Sequence, residues 1–225
     1  MVERGDTEGL KPSVRKDVQV RILPPLPTSS QSAAYSYLLG MYLGDGYISR
    51  TPRTYRLEVS LHKRQGPVIE RVARAISALR PGHPVGLRRR ETVTIVNAYS
   101  NASPTLFPQH GTGRKHQRPI VLQPWQRSIV EQNPQEFVRG CIESDGCRHR
   151  RVVAGRDYPA YSFTNHSNDI LGLFVWACSL VGLRPRRANR VTVSLARRED
   201  VAALDKLLVA GDAVEPQVAD SLLTP

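Results

Sequence analysis

Two aspartates carry the chemistry this sequence offers. Asp45 and Asp145 stand 100 residues apart, and each precedes a glycine, Gly46 or Gly146. One Asp-Gly pair alone reads as a turn. Here the surroundings repeat as well: LLGMYLGDG (38–46) aligns without a gap on VRGCIESDG (138–146). Gly40 and Gly44 are four residues apart, as are Gly140 and Ser144, so each pair shares one helix face. A glycine costs about 1 kcal/mol inside a helix, and close backbone approach is the natural reason to accept that cost. Two helices are expected to cross with Gly40 and Gly44 facing Gly140 and Ser144. Asp45 and Asp145 then end near one another at two negative helix termini, where they repel unless a cation lies between them. Carboxylates, backbone carbonyls (here at Gly44 and Ser144) and phosphate oxygens together suit Mg²⁺, or Mn²⁺ in its place. Beside a phosphodiester, such a site supports metal-assisted hydrolysis. Asp45 and Asp145 are the candidate catalytic residues.

The elements that must position these acids repeat too. RTYRLEVSLHK (53–63) and YPAYSFTNH (158–166) alternate as strands. PVIERVARAISALR (67–80) and NDILGLFVWACSLVGL (168–183) have helical periodicity. GLRRRETVTIVNAY (86–99) and GLRPRRANRVTVSL (182–195) each run from Gly-Leu-Arg through further arginines into a Val-Thr strand. With a closing helix such as REDVAALDKLL (198–208), the pattern is an α+β protein made of a pseudo-twofold pair of halves. The expected limits are a disordered arm at 1–29, one half at 30–99, a basic linker at 100–132, a second half at 133–210 and a tail at 211–225. The linker contains GTGRKHQR and a short helix around 124–132.

The whole chain has 225 residues, with 32 Lys+Arg against 20 Asp+Glu, a net charge of +12. Arginine supplies 27 of those cations. GC-rich codons explain that ratio as well as phosphate chemistry does, but the total charge suits a polyanion, most simply nucleic acid. A hydrophobic fraction of 40% excludes global disorder. Three cysteines are too few and wrongly spaced for a disulfide framework or a zinc ribbon. No apolar run approaches a membrane span and the first ten residues lack a secretory pattern, so an intracellular, cytoplasmic protein is expected.

Strand alternation puts Arg56, Glu58, Ser60 and His62 on one face and Tyr55, Leu57, Val59 and Leu61 on the other. The apolar face is the expected core and the polar face the expected nucleic-acid surface. Arg53, Lys63, Arg114, Lys115 and Arg148 join that surface, as do two arginine clusters at matching places: Arg88, Arg89 and Arg90 in one half, Arg186, Arg187 and Arg190 in the other. His62 and His166 also occupy matching strand ends. His110 and His116 flank a basic loop, which fits phosphate contact better than zinc because no cysteine pair accompanies them.

On its two motifs, their spacing and the element order after each, the chain resembles the single-chain LAGLIDADG homing endonucleases over about 30–210. The resemblance implies two αββαββα halves whose saddle-shaped antiparallel sheets lie on the major groove of double-stranded DNA. It implies a monomer that acts as an internal pseudo-dimer, divalent-metal cleavage of both strands, and intron or intein mobility. The metal-binding acids of the motif fall on Asp45 and Asp145. A basic residue often stands beside the metals, and Lys63 and Lys115 are the candidates. Leu43 replaces the other frequent acid, Glu143 keeps it, and Arg139 stands where a small residue is common. Two other activities share the fold: a non-cleaving transcriptional regulator and an RNA intron maturase. In the arm, Val20, Arg21, Ile22 and Leu23 can be encoded GTT-CGA-ATC-CTN. That string is similar to the T-arm of tRNA genes, as expected if the coding region overlaps one; other codons there end the idea.

Overall fold

The repeat folds twice. The computed structural model describes residues 26–210. Its first half comprises α1 (Ser32–Asp45), β1 (Gly46–Arg50), β2 (Tyr55–His62), α2 (Gly66–Leu79), β3 (Gly86–Arg89) and β4 (Val93–Tyr99). A connecting segment follows with α3 (Ser103–Leu106), a 3-10 turn at Lys115–Gln117 and α4 (Pro124–Gln132). The second half comprises α5 (Pro134–Asp145), β5 (Gly146–Val153), β6 (Arg156–Thr164), α6 (Asn168–Leu180), β7 (Arg186–Arg187), β8 (Thr192–Leu195) and α7 (Arg198–Ala210). The two four-stranded sheets are antiparallel, with the same order: β1-β2-β4-β3 and β5-β6-β8-β7. The fold is α+β with two topologically matching halves.

Local sequence explains the layers. In β2, Leu57, Val59 and Leu61 are buried while Ser60 and His62 are exposed, as strand alternation requires. α1 carries no charge before Asp45, and ten of its residues are buried, as befits a helix apolar on every side. It packs against α5, α2 and α4. One continuous core runs through both halves, with Tyr35, Leu39, Val59, Val96, Phe137, Phe163 and Leu204 among its members.

The halves close differently. α7 completes the second, whereas the first ends on the single turn α3. Pro104 starts that turn, and Pro108 keeps the preceding residue out of the helical region. The connecting segment then packs onto α1 through a buried polar network. The Tyr35 hydroxyl donates to Leu106 O, Gln126 donates to that hydroxyl at 2.7 Å, and Gln109 donates to Gln126 at 2.6 Å. Among the described residues no helix is long and apolar enough to cross a membrane. Most of the expected arm, its tRNA-like string and the tail at 211–225 lie outside the described residues; at the arm's end, Ser29–Gln31 forms a 3-10 turn.

Candidate active site

The acids are placed by two helices in backbone contact. A methyl group added to Gly40 would lie 2.5 Å from Phe137 O and 2.9 Å from Cys141 N. One added to Gly140 would run into Tyr37 O and lie 2.9 Å from Met41 N. At the next turn a Cβ on Gly44 would lie 2.6 Å from Ser144 Cβ and 3.0 Å from Asp145 Oδ2. No side chain larger than hydrogen fits at Gly40 or Gly140 without moving main chain. A polar clamp fixes the same register: the Tyr37 hydroxyl donates to Glu143 Oε2 at 2.7 Å, and Arg71 of α2 pairs with Glu143 Oε1. Ser144 turns its hydroxyl back to Cys141 O at 3.0 Å.

Both helices stop at their aspartate, and the chain leaves through Gly46 or Gly146 in extended conformation. Burial pushes the Asp45 carboxyl up to about 7, helped by the charge of Asp145. Burial also raises Asp145, while Asn165, which donates to its Oδ2 at 2.7 Å, and Lys115 oppose the rise. Lys115 reaches in from the connecting segment. Its ammonium donates to Tyr42 O, to Leu43 O at 3.1 Å and to Gly44 O at 2.9 Å, and lies 4.9 Å from the Tyr42 ring centre. It thereby partners the Leu43 and Gly44 carbonyls at the helix end, while Tyr42 O also accepts from the Gly46 N–H. Burial lowers Lys115 to about 8, although both aspartates pull it up. A recess of about 460 Å³ opens here, lined by Gly44, Tyr47, Arg114, Lys115, Asp145 and His166 among others. The His116 and His166 rings lie 5.6 Å apart at it.

Register sorts the proposed nucleic-acid residues by sheet face, because residues paired across strands point to the same side. On the first sheet Arg56, Glu58, Ser60, His62 and Arg88 share the face turned away from the helices, together with Tyr47, Asn97 and Tyr99. Glu58 ties two of the arginines together, with Arg88 at 2.8 Å and Arg56 at 3.1 Å. On the second sheet the equivalent face holds Arg186, Ser162, Thr164 and Ser194, and also His149 and Arg151, which sequence reasoning missed. Arg53 sits exposed in the β1–β2 turn, Arg90 in the turn after β3, and Arg190 in the turn before β8.

Three arginines are corrected to the helix side. Arg148 pairs with Tyr161, a core residue, and its guanidinium grips Asp205 of α7 at 2.9 and 3.0 Å. Arg187 pairs with buried Val193 and donates to Asn168 at 2.8 Å and to Arg190 O. Arg89 pairs with buried Thr94. Alternation divides each arginine cluster, and one member of each, Arg88 or Arg186, joins the open face. Of the two lysines, Lys115 reaches the acids; Lys63 is exposed beyond β2, with its backbone bonded to Thr92. His62 and His166 match in register, yet only His166 lines the recess. The Gly44 carbonyl, expected beside the cation, accepts from Lys115 instead. Among the described residues no group of three or more His, Cys, Asp or Glu could hold a metal ion.

No family model and no curated protein matches the chain. Solved structures do match its fold. The structure titled as I-DmoI in complex with DNA and Mn superposes with a TM-score of 0.54 at 14% identity, covering 79% of this chain and 97% of that one. The N-terminal LAGLIDADG domain of DUF199/WhiA gives a TM-score of 0.51 at 15% identity, covering 85% of this chain and 88% of that one. Mesophilic variants of the homing endonuclease I-DmoI give 0.51 at 12% identity, over 80% and 97%.

Proposed function

We propose that this chain, which has the LAGLIDADG fold with both halves in one polypeptide, is a sequence-specific double-strand DNA endonuclease. It acts as a monomer and hydrolyses phosphodiester bonds with Mg²⁺ or Mn²⁺. The observation that carries this reading is the meeting of Asp45 and Asp145 at two helix ends, each carboxyl raised by burial, between two sheets with open polar faces. The two acids repel each other, and Lys115 offsets that repulsion only in part, since both carboxyls stay raised. Their hard oxygen donors fit a divalent ion that also takes phosphate and water oxygens. Such an ion, when bound, would supply Lewis acidity at the scissile phosphate and an activated water.

The chain's own groups do the rest. Asp45 must lose its proton before it can hold a cation, so activity should rise as pH climbs through about 7. Asn165 aims Asp145 by donating to one of its oxygens. Lys115 covers the carbonyls of α1 and keeps a positive charge beside the incoming phosphate. Arg56, Ser60, His62 and Arg88 on one sheet, with His149, Ser162, Thr164 and Arg186 on the other, face the duplex, so binding should weaken steeply with salt.

One observation favours a second reading, a non-cleaving DNA-binding regulator: Lys115 holds the Gly44 carbonyl and its positive charge already acts on both acids. Cleavage-site selection from a randomised duplex library in Mg²⁺ separates the two. The endonuclease reading expects cut products, and expects Asp45→Asn and Asp145→Asn to bind without cutting. Binding to duplex without nicking in Mg²⁺ or Mn²⁺ establishes the regulator.

A further inference from the structure

The hairpins that lead out of the two acids differ in reach. β1 and β2 pair from Gly46↔Val59 to Arg50↔Tyr55. β4 accompanies β2 as far as Arg56, and Ser100 N then donates to Tyr55 O, so this hairpin ends where its sheet ends. β5 and β6 pair from Gly146↔Phe163 to Val153↔Arg156, but β8 accompanies β6 only between Thr164 and Tyr161. Asp205 of α7 holds the Arg148↔Tyr161 pair from the helix side. Beyond it, the pairs Arg150↔Pro159, Arg151↔Tyr158, Val152↔Asp157 and Val153↔Arg156 continue as a two-stranded ribbon. At about 3.3 Å per residue they reach about 13 Å past the sheet.

A lone two-stranded ribbon is marginal in water, and on this one Val152 and Tyr158 are 72% and 46% exposed. Its turn holds Ala154 at φ 49° and Gly155 at φ 74°, the pair of positive values of a type I′ turn, which suits glycine or asparagine better than alanine. Its charges are sorted by face. Arg150 and Asp157 share the face turned toward the helices, 3.6 Å apart, and offset one another. Arg151, Arg156 and Tyr158 share the other, which continues the open face of His149 and Ser162. Among the described residues neither Arg151 nor Arg156 has a carboxylate partner.

We infer that this ribbon is an arm that reads duplex beyond the sheet, and that the DNA site is therefore off-centre. It runs about four base pairs farther from the acids under the second half than under the first, at about 3.4 Å per pair. The major groove admits a two-stranded ribbon. Arg151 and Arg156 supply cations for its phosphates or guanine edges, and Tyr158 a hydroxyl on an apolar ring. Duplex binding alone is required here, which the endonuclease and the regulator share.

The test uses a duplex selected for binding from a randomised library in EDTA, where no strand is cut. Trimming about four base pairs from one end of the selected site should weaken binding by the full chain at least about tenfold, and trimming the other end less than about threefold. Arg151→Ala with Arg156→Ala should weaken binding to the untrimmed site about tenfold and lower the slope of log affinity against log salt by about 2. The same double variant should no longer distinguish the two ends. Arg150→Ala, on the opposite face, should keep the affinity within about threefold. Thermal melting checks that the variants fold. Equal penalties at the two ends, or an end penalty that persists in the double variant, overturns the off-centre site. A chain that binds no duplex overturns the DNA reading and the arm with it, whereas off-centre binding without cutting in Mg²⁺ fails the nuclease reading alone and supports the arm.

Discussion

At the end of α1, Lys115 arrives from the connecting segment and occupies the last carbonyls beside Asp45. At the end of α5, Asp145 is instead held by Asn165, in the position filled by core Leu61 in the first sheet. The sheets differ in the same manner: Arg88 is spent on Glu58, while Arg186 on the open face of the second sheet pairs with no carboxylate among the described residues. Even the second helices diverge, since α2 carries Glu70, Arg71 and Arg74, and α6 has no charge after Asp169. The two halves share the helix pair and the strand order, but each acid has its own electrostatic surroundings. The halves should therefore respond alike where backbone contact or the paired acids decide, and unequally where neighbouring side chains do.

The largest effect falls on both halves together. Asp45→Asn and Asp145→Asn should each lower duplex cleavage by about three orders of magnitude or more with binding retained, since each removes an ionised donor from a shared site. Gel assays of cutting and binding on one selected target measure it. Next comes the helix contact. Gly40→Ala and Gly140→Ala should each cost about 2–3 kcal/mol or more in denaturant unfolding, because the methyl meets main chain that cannot yield. Gly172→Ala on α6, where nothing lies within 4 Å, should instead gain up to about 1 kcal/mol. Equal effects at the three glycines would remove backbone contact as the reason for the motif.

Lys115→Met sharpens the asymmetry. It strips a positive charge from beside both acids but uncovers only the carbonyls of α1. On supercoiled plasmid bearing the target, nicked circles should accumulate about tenfold over linear product, because one strand slows more than the other. If both strands slow together, the different wiring of the two acids has no catalytic meaning. The acids also leave a thermodynamic mark. The folded value for Asp45, about 7, lies above the unfolded value of about 4. The folded chain therefore keeps the extra proton between them, and the stability it contributes is full below about pH 4 and lost as pH rises through about 7. Metal-free protein should melt several degrees lower at pH 7.5 than at pH 5, relative to Asp45→Asn, and Mg²⁺ should restore the difference.

Much of this was legible because the repeat constrains it twice. The Gly-xxx-Gly face and the Asp-Gly ends, 100 residues apart, led to the helix crossing and to the meeting of the acids. Alternation led to the faces of β2. The misplaced arginines were also legible in principle: Arg148 falls, at the same offset of 100, on Ile48, a core position. Side-chain type suggested a DNA contact at a position that strand parity turns toward the helices. Asn165 and the fit of Lys115 were not legible from periodicity. One follows a strand end and the other comes from a segment without a counterpart, so only the folded path of the chain brings them to the acids.

The smallest expected difference tests whether the open faces share the binding equally. Arg88 is held at 2.8 Å by Glu58, which also holds Arg56 at 3.1 Å. Removing Arg88 takes away one cation but leaves Glu58 with a partner, and most of the local charge balance was already internal. Exposed pairs of this kind are worth about 0–1 kcal/mol to the fold, so the protein should remain intact. Among the described residues Arg186 has no such carboxylate, which leaves its charge for a phosphate. Arg186→Ala should therefore reduce the slope of log affinity against log salt by about 1, whereas Arg88→Ala should change the slope less and alter the preferred base sequence more. Filter binding across a salt series, on a selected and a scrambled duplex, reads both quantities. A larger slope change for Arg88→Ala than for Arg186→Ala would show that Glu58 releases its arginines to the duplex, and that the first sheet binds phosphate as the second does.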